Sequence, residues 1–305
     1  MMAAAAGEMS WSIYWFMFPV SICVATLATL SGIGGAALFT PIFLIVFPLL
    51  GPEYPFPTVA AAIGVSLVTG TFGFLSGFTG YLRKGLIDFR SAWPFIWVGV
   101  PVAIVGGILL SALTGHGNEL RGAYALLMFV LCAELLRRSA APAQTGPIDD
   151  LSVRNGDARQ ITARNGTVYR YRAPRQGKGA VATGIGAFLT GLLGVGIGEV
   201  VMPQLVTRNH VPVAVAAPTS VFIAMVVLAA ASFAQVSALV AGGGISAVPW
   251  NAVVYTVPGV LIGGQIGPWL QGRVDQRTMV RSIAALFLVI GVAMAWIAVR
   301  NVLFS

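Results

Sequence analysis

Apolar blocks follow one another along almost the whole chain, at about residues 12–31, 36–50, 57–82, 91–114, 120–136, 178–193, 199–207, 211–240, 248–270 and 279–299. A helix crosses the hydrocarbon core of a bilayer with about 20 apolar residues, so blocks in this number and of this length constrain the fold more than any single motif does. Charged residues make up 9% of the 305 residues. An average soluble domain carries about 25%. A soluble fold of this size could not cover its surface with so few charges. The chain is therefore an all-α polytopic membrane protein, with room for about eight to ten membrane helices. Its 37 glycines and 17 prolines fit this class, because both residues are tolerated in spanning helices.

The net charge of +8 would suggest nucleic acid in a soluble protein. In a bilayer protein the cytoplasmic loops are basic, so no nucleic-acid partner is expected. Cys23 and Cys132 both fall in apolar blocks and read as small hydrophobes rather than a disulfide. His116 and His210 are the only histidines and read as loop residues, so neither a metal site nor a cofactor is expected. Hydrolytic nucleophile elbows and Walker-type loops are missing, and the glycine clusters lack the strand context of a dinucleotide fold, so the chain does not read as an enzyme. Met1–Ser10 holds no Lys or Arg, and the first apolar block is expected to stay as a helix rather than leave as a signal peptide. Tryptophans near the ends of the blocks (Trp11, Trp15, Trp93, Trp97, Trp250, Trp269) suit an interfacial belt.

One stretch, Ser139–Lys178, is polar and carries seven Lys and Arg residues. Asn155-Gly156 and Asn165-Gly166 are hairpin-turn dipeptides, and Gln160–Ala163 and Thr167–Arg172 can pair as short strands. The stretch reads as a small β-hairpin insert that connects two domains in the cytoplasm; contact with anionic lipid is the other reading of its charge. It divides the chain into a first transmembrane repeat, 1–138, the insert, 139–178, and a second transmembrane repeat, 179–305. The two repeats share an ordered set of motifs. Gly32-Ile33-Gly34-Gly35-Ala36 with Pro41 matches Gly194-Val195-Gly196-Ile197-Gly198-Glu199 with Pro203. Ile63-Gly64-Val65-Ser66 matches Ala217-Pro218-Thr219-Ser220, and Val100-Pro101 with Gly106-Gly107 matches Val257-Pro258 with Gly263-Gly264.

If each repeat is a helical hairpin broken at its glycine cluster, followed by three full spans, the repeats have odd parity and lie inverted. Sixteen of the eighteen Lys and Arg residues then fall on one side, leaving Arg121 and Arg300 on the other. The positive-inside rule places that side in the cytoplasm with the insert, and both termini outside.

A glycine break in an apolar segment is costly unless its freed backbone is covered by protein or lines a cavity. A short helix starting at the break aims its N–H groups and positive dipole end into the membrane interior, which suits an anion. On this reading Gly32, Gly34, Gly35, Gly194, Gly196 and Gly198 form an anion cradle, and Ser66, Thr219 and Ser220 supply hydroxyl donors. The competing readings are close helix packing for the glycines and back-bonding to their own helix for the hydroxyls. Glu199, a carboxylate at the start of such a half-helix, reads either as a proton-coupling site or as a helix cap offset by the dipole.

With those residues in view, the chain resembles the sulfite exporter TauE/SafE family of anion transporters. The resemblance rests on the two glycine breaks with their following prolines, on Gly64-Val65-Ser66 and Thr219-Ser220, and on Tyr81-Leu82-Arg83-Lys84-Gly85-Leu86-Ile87-Asp88. It covers all of the chain except the insert. It implies secondary transport of a small sulfur-containing anion, sulfite or an organosulfonate, across a bacterial-type inner membrane, with protons as a possible coupling ion. An anion channel of the same architecture is the alternative. Ala36 and Glu199 depart from the family's glycines, and Gly242-Gly243-Gly244-Ile245 lacks the basic pair of the first loop.

Overall fold

The structure, a computed structural model, describes residues 12–32, 36–51, 54, 56, 58–113, 115–139, 158–172, 179–274 and 276–303. Helix α1 (Met17–Ser31) ends at Gly32, whose φ of 69° is a left-handed cap. After the break come α2 (Ala36–Pro41), a π-helical segment Ile42–Val46, and α3 (Phe47–Leu50). Long helices α4 (Val59–Lys84), α5 (Phe89–Ala112) and α6 (Gly117–Ser139) follow. Strands β1 (Ala158–Thr162) and β2 (Val168–Arg172) pair antiparallel, with Gln160 opposite Arg170. They form the expected hairpin around Asn165-Gly166; Asn155-Gly156 lies outside the described residues. The chain then repeats its opening pattern. Helix α7 (Gly179–Leu193) stops at Gly194, φ 79°, and α8 (Ile197–Pro203) runs into a second π-helical segment, Gln204–Arg208. Helices α9 (Val213–Gly243), α10 (Trp250–Leu270) and α11 (Gln276–Leu303) complete the fold.

Among the described residues, five helical stretches are long and apolar enough to cross a membrane: Val59–Lys84, Phe89–Ala112, Val213–Gly243, Trp250–Leu270 and Val280–Arg300. The chain is a multi-pass membrane protein. Helix α6 has the length, but it carries Glu119 and Arg121 near its start and Glu134 and Arg137 near its end. Trp15, Trp93, Trp97, Trp269 and Trp296 are exposed, as an interfacial belt requires.

Both π-helical segments begin directly after a proline. Proline has no N–H to donate and its ring crowds the carbonyl four residues back, so the helix widens at Pro41 and again at Pro203. The arms of the first broken segment return to each other: the Tyr14 and Phe47 rings stack at 5.0 Å and Phe16 meets Tyr54 edge-on at 5.7 Å. In the second, Gln204 Nε2 donates to Thr183 Oγ1 at 3.3 Å, so α7 and the segment after α8 run back along one another.

The long helices meet on glycine seams. Gly259, Gly263 and Gly267 of α10 lie successively against Ser21, Ile22 and Thr29 of α1. The two helices therefore run in the same direction. A Cβ on Gly263 would stand 2.3 Å from the Ile22 carbonyl oxygen. Helices α5 and α7 are also parallel, with Val98 beside Gly184 and Ala103 against Gly191. Helix α4 runs parallel to α10, joined by a 2.8 Å hydrogen bond between the Thr69 and Thr256 hydroxyls and by the contact of Gly80 with Pro268. Helix α5 runs parallel to α9, from Gly99 against Val227 to Gly107 against Ala234. At the centre α4 and α9 are antiparallel: Phe78 stacks on Phe222 at 5.3 Å, while Ala60 and Gly64 at the other end of α4 meet Gln235. Helices α6 and α11 pack on each other. Lipid supplies no hydrophobic drive between helices, so seams of this kind hold by close backbone approach and interhelical hydrogen bonds.

This packing yields a stability prediction. A Cβ on Gly191 would lie 2.0 Å from the Ala103 carbonyl oxygen, whereas one on Gly122 meets nothing within 4 Å. Gly191→Val must part α5 from α7 and is expected to cost about 3 kcal/mol or more. Gly122→Ala is expected to be neutral or to stabilise by about 0.5–1 kcal/mol. Thermal unfolding of the detergent-solubilised protein compares the two.

Candidate functional site

The first break is held by the second half of the chain. Ser220 Oγ on α9 donates to the Gly32 carbonyl at 3.0 Å. A Cβ on Gly32 would come within 3.2 Å of the Ala217 backbone, so glycine is needed there for the close approach as well as for its left-handed φ. Gly34 and Gly35 lie outside the described residues.

The second break is fully described. Thr190 Oγ1 accepts the Ile197 N–H at 2.7 Å and Glu199 Oε2 accepts the Gly196 N–H at 3.0 Å. Gly196 has a φ of 144°, and a Cβ there would lie 2.5 Å from the Gly186 carbonyl oxygen. Gly198 is buried within α8. Glu199 is 7% exposed, and its charge lies within electrostatic range of the Tyr124 hydroxyl. That hydroxyl in turn donates to the Ala37 carbonyl on α2 at 2.8 Å. The start of α2 is thus held by Tyr124, and the start of α8 by Thr190 and Glu199.

The hydroxyls named from sequence divide. Ser220 reaches the first break. Ser66 donates to the Ala62 carbonyl at 2.8 Å, a bond within its own helix. Thr219 Oγ1 accepts the Asp88 N–H at 3.0 Å and so belongs to the α4–α5 loop. Tyr124 and Thr190 carry no sequence motif that would single them out. Gln235 was equally illegible: it is fully buried, its amide donates to the Ala60 carbonyl at 3.3 Å, and its Oε1 meets no donor among the described residues.

Chemically, two short helices each start at a glycine break, and the N–H groups of a helix N-terminus are the donors that an oxyanion needs. At α8 two of those donors already have partners, and one partner is a carboxylate.

Residues 17–294 match the family described as "Sulfite exporter TauE/SafE". The chain belongs to that family. The chain is similar to the "Probable membrane transporter protein YunE" of Bacillus subtilis (strain 168), with 24% identity over 272 residues, covering 89% of this chain and 93% of the relative. No solved structure shows significant similarity to it. Membership of the TauE/SafE family makes this a membrane transport protein and places the glycine breaks within a transporter.

A second polar cluster lies at the α4–α5 loop of this TauE/SafE chain. Gly85, φ 69°, caps α4, and Asp88 caps α5 by accepting the Ser91 N–H at 3.0 Å. Asp88 also accepts from the Ser91 hydroxyl, from Tyr171 at 2.8 Å and from the Arg159 guanidinium at 3.2 Å. It is 7% exposed. Burial pushes its pKa up, but the hydrogen bonds from Ser91 and Tyr171 and the charge of Arg159 outweigh burial and hold it below the ordinary aspartate range. Burial and then the neighbouring Asp88 charge push the Tyr171 phenol far above its ordinary range.

A carboxylate whose folded pKa is depressed stabilises the folded state in full above its ordinary pKa, and that stabilisation fades as pH falls through the folded value. The protection of the 158–172 amides, taken relative to their intrinsic exchange rate at each pH, should therefore be flat from neutral pH down to the ordinary aspartate range and fall below it. Asp88→Asn should exchange faster at neutral pH and lack the acid step.

Proposed function

We propose that this chain is a secondary transporter that moves a small sulfur-containing anion, sulfite or an organosulfonate, across a bacterial-type inner membrane by alternating access. Its repeats, 1–138 and 179–305, lie inverted, with both termini outside and the 139–178 insert in the cytoplasm. The observation that carries the reading is the pair of short helices, α2 and α8, each beginning at a glycine break and running into a π-helical segment after a proline. Helix direction supports the inversion: α4 and α9, which occupy matching places in the two repeats, are antiparallel, and the partnership of α1 with α10 is mirrored by that of α7 with α5. Gly32, Gly34, Gly35, Gly194, Gly196 and Gly198 form the anion cradle, with Ser220 bracing the first break. Ser66 and Thr219 reach the anion only if they exchange the bonds they make in this conformation.

Glu199 couples the cradle to protons. Ionised, its carboxylate takes the Gly196 N–H that an oxyanion would use. It also repels the substrate: at ~4 Å and an effective dielectric of ~20, two unit charges oppose each other by about 4 kcal/mol. That is roughly a thousandfold in affinity. Protonation removes the repulsion and frees the N–H together. The helix-cap and proton-site readings of Glu199 thereby describe one residue in two protonation states.

Purified protein in liposomes, given sulfite, sulfoacetate, taurine or sulfate with and without a pH gradient, should show saturable flux for one of the sulfur anions that rises as the pH is lowered. Flux that fails to saturate and ignores the gradient would mark a channel. Glu199→Gln should still bind anion but lose the pH response; an unchanged pH profile would leave Glu199 as a cap alone. Topology is tested separately. Lys84→Cys, Gln160→Cys and Gln276→Cys should react with an impermeant maleimide from the cytoplasm and Gly244→Cys from outside. Opposite faces for positions 84 and 276 would exclude the inversion.

A further inference from the structure

Among the described residues, the hydrogen bonds from the β-hairpin to the helices all end on the α4–α5 loop and its two flanking turns. Arg159 bonds Asp88 and, at 2.6 Å, the Ser91 hydroxyl; Tyr171 bonds Asp88; and the Arg164 N–H donates to the Lys84 carbonyl at 3.0 Å. The same loop is tied on its other side to the second half of the chain. Its Asp88 N–H donates to Thr219 on α9, and the Lys84 ammonium donates to the Pro268 carbonyl on α10. The loop is thus clamped between an extramembrane hairpin and two helices of the opposite repeat.

We propose that the hairpin is a latch on the cytoplasmic face. While Arg159 and Tyr171 hold Asp88, the α4–α5 loop stays seated on α9 and α10 and the two halves cannot part on that side. When the hairpin lets go, the way toward Ser220 opens. The inference rests on the inverted-repeat transporter reading above.

The chemistry suits a latch that holds and releases. A guanidinium shared between a carboxylate and a hydroxyl makes charge-assisted hydrogen bonds, stronger than neutral ones and directional. Asp88 is nearly buried, so losing Arg159 leaves a carboxylate short of a partner, which favours separation of the whole contact. A two-stranded hairpin is marginally stable by itself. Its order and its docking are therefore coupled, and it comes away as a unit. The bonds that Arg159 and Tyr171 make end on Asp88 and on Ser91 in the first turn of α5, ahead of the seam that begins at Gly99, so release leaves the glycine seams intact.

The test reads access to Ser220, which is fully buried beside Thr219. In a background with Cys23→Ala and Cys132→Ala, Ser220→Cys is exposed to an impermeant thiol reagent in membrane vesicles of each orientation, with no substrate added. Arg159→Ala and Tyr171→Phe should each speed labelling from the hairpin's face by about tenfold. Arg159→Lys should restore part of the protection. Arg170→Ala, whose parent side chain bonds Gln160 within the hairpin, should change nothing. Unchanged labelling in Arg159→Ala and Tyr171→Phe overturns the latch, and so does an equal rise in Arg170→Ala. Asn165→Cys at the hairpin tip reports which face carries the hairpin. Labelling of that position from outside would remove the orientation reading, while the Ser220→Cys rates on that face still decide the latch.

Discussion

An unsatisfied backbone amide inside a bilayer costs several kcal/mol, and this chain breaks two of its helices at buried glycines, Gly32 and Gly196. Everything near the breaks follows from that debt. At the first, the Gly32 carbonyl is met by the Ser220 hydroxyl from the other half. At the second, the freed amides of Gly196 and Ile197 are met by Glu199 and Thr190. The partners of the first break come from about 190 residues away in sequence, so the break is stable only when the halves are assembled. The glycine seams serve the same end, since they let backbones approach until side-chain hydroxyls can reach carbonyls on neighbouring helices, as Thr26 reaches Gly263 and Tyr81 reaches Thr29.

The architecture was largely legible in the sequence because membrane helices obey strong rules. Apolar length, basic-residue placement and the paired glycine-proline motifs located the helices, the two breaks and the insert, including a hairpin turn at Asn165-Gly166. The π-helical segments were not legible, because Pro41 and Pro203 announce a disturbance without saying whether the helix kinks or widens. The site was legible at the backbone and poorly so at side chains. A hydroxyl on an apolar helix can bond backward or across, and sequence does not say which: Ser66 bonds backward, Ser220 across. Tyr124 and Thr190 look like ordinary helix residues until the fold brings them to the breaks.

The cluster at the α4–α5 loop shows how an insert can take on a role that its composition hides. The seven basic residues between Ser139 and Lys178 suggested a solvated connector or a lipid contact. One of them, Arg159, instead faces Asp88, the residue that also caps α5. A helix cap and an ion pair thus share one carboxylate, and the N–H of the same residue makes the tie to α9, so a change at any of them is felt at the others.

The parallel pairing of α1 with α10 has a consequence for how the protein is made. Helix α1 meets its glycine seam on α10 only after Trp250–Leu270 has been synthesised, more than two hundred residues later. Until then α4 covers Thr29, while Ser21 and Thr26 face lipid or a surrogate partner. Helix α7, by contrast, meets an α5 that is already in place. The nascent chain therefore passes through a long interval in which α1 is matched on its α4 side alone, and truncation before α10 leaves its other face uncovered for quality control to recognise.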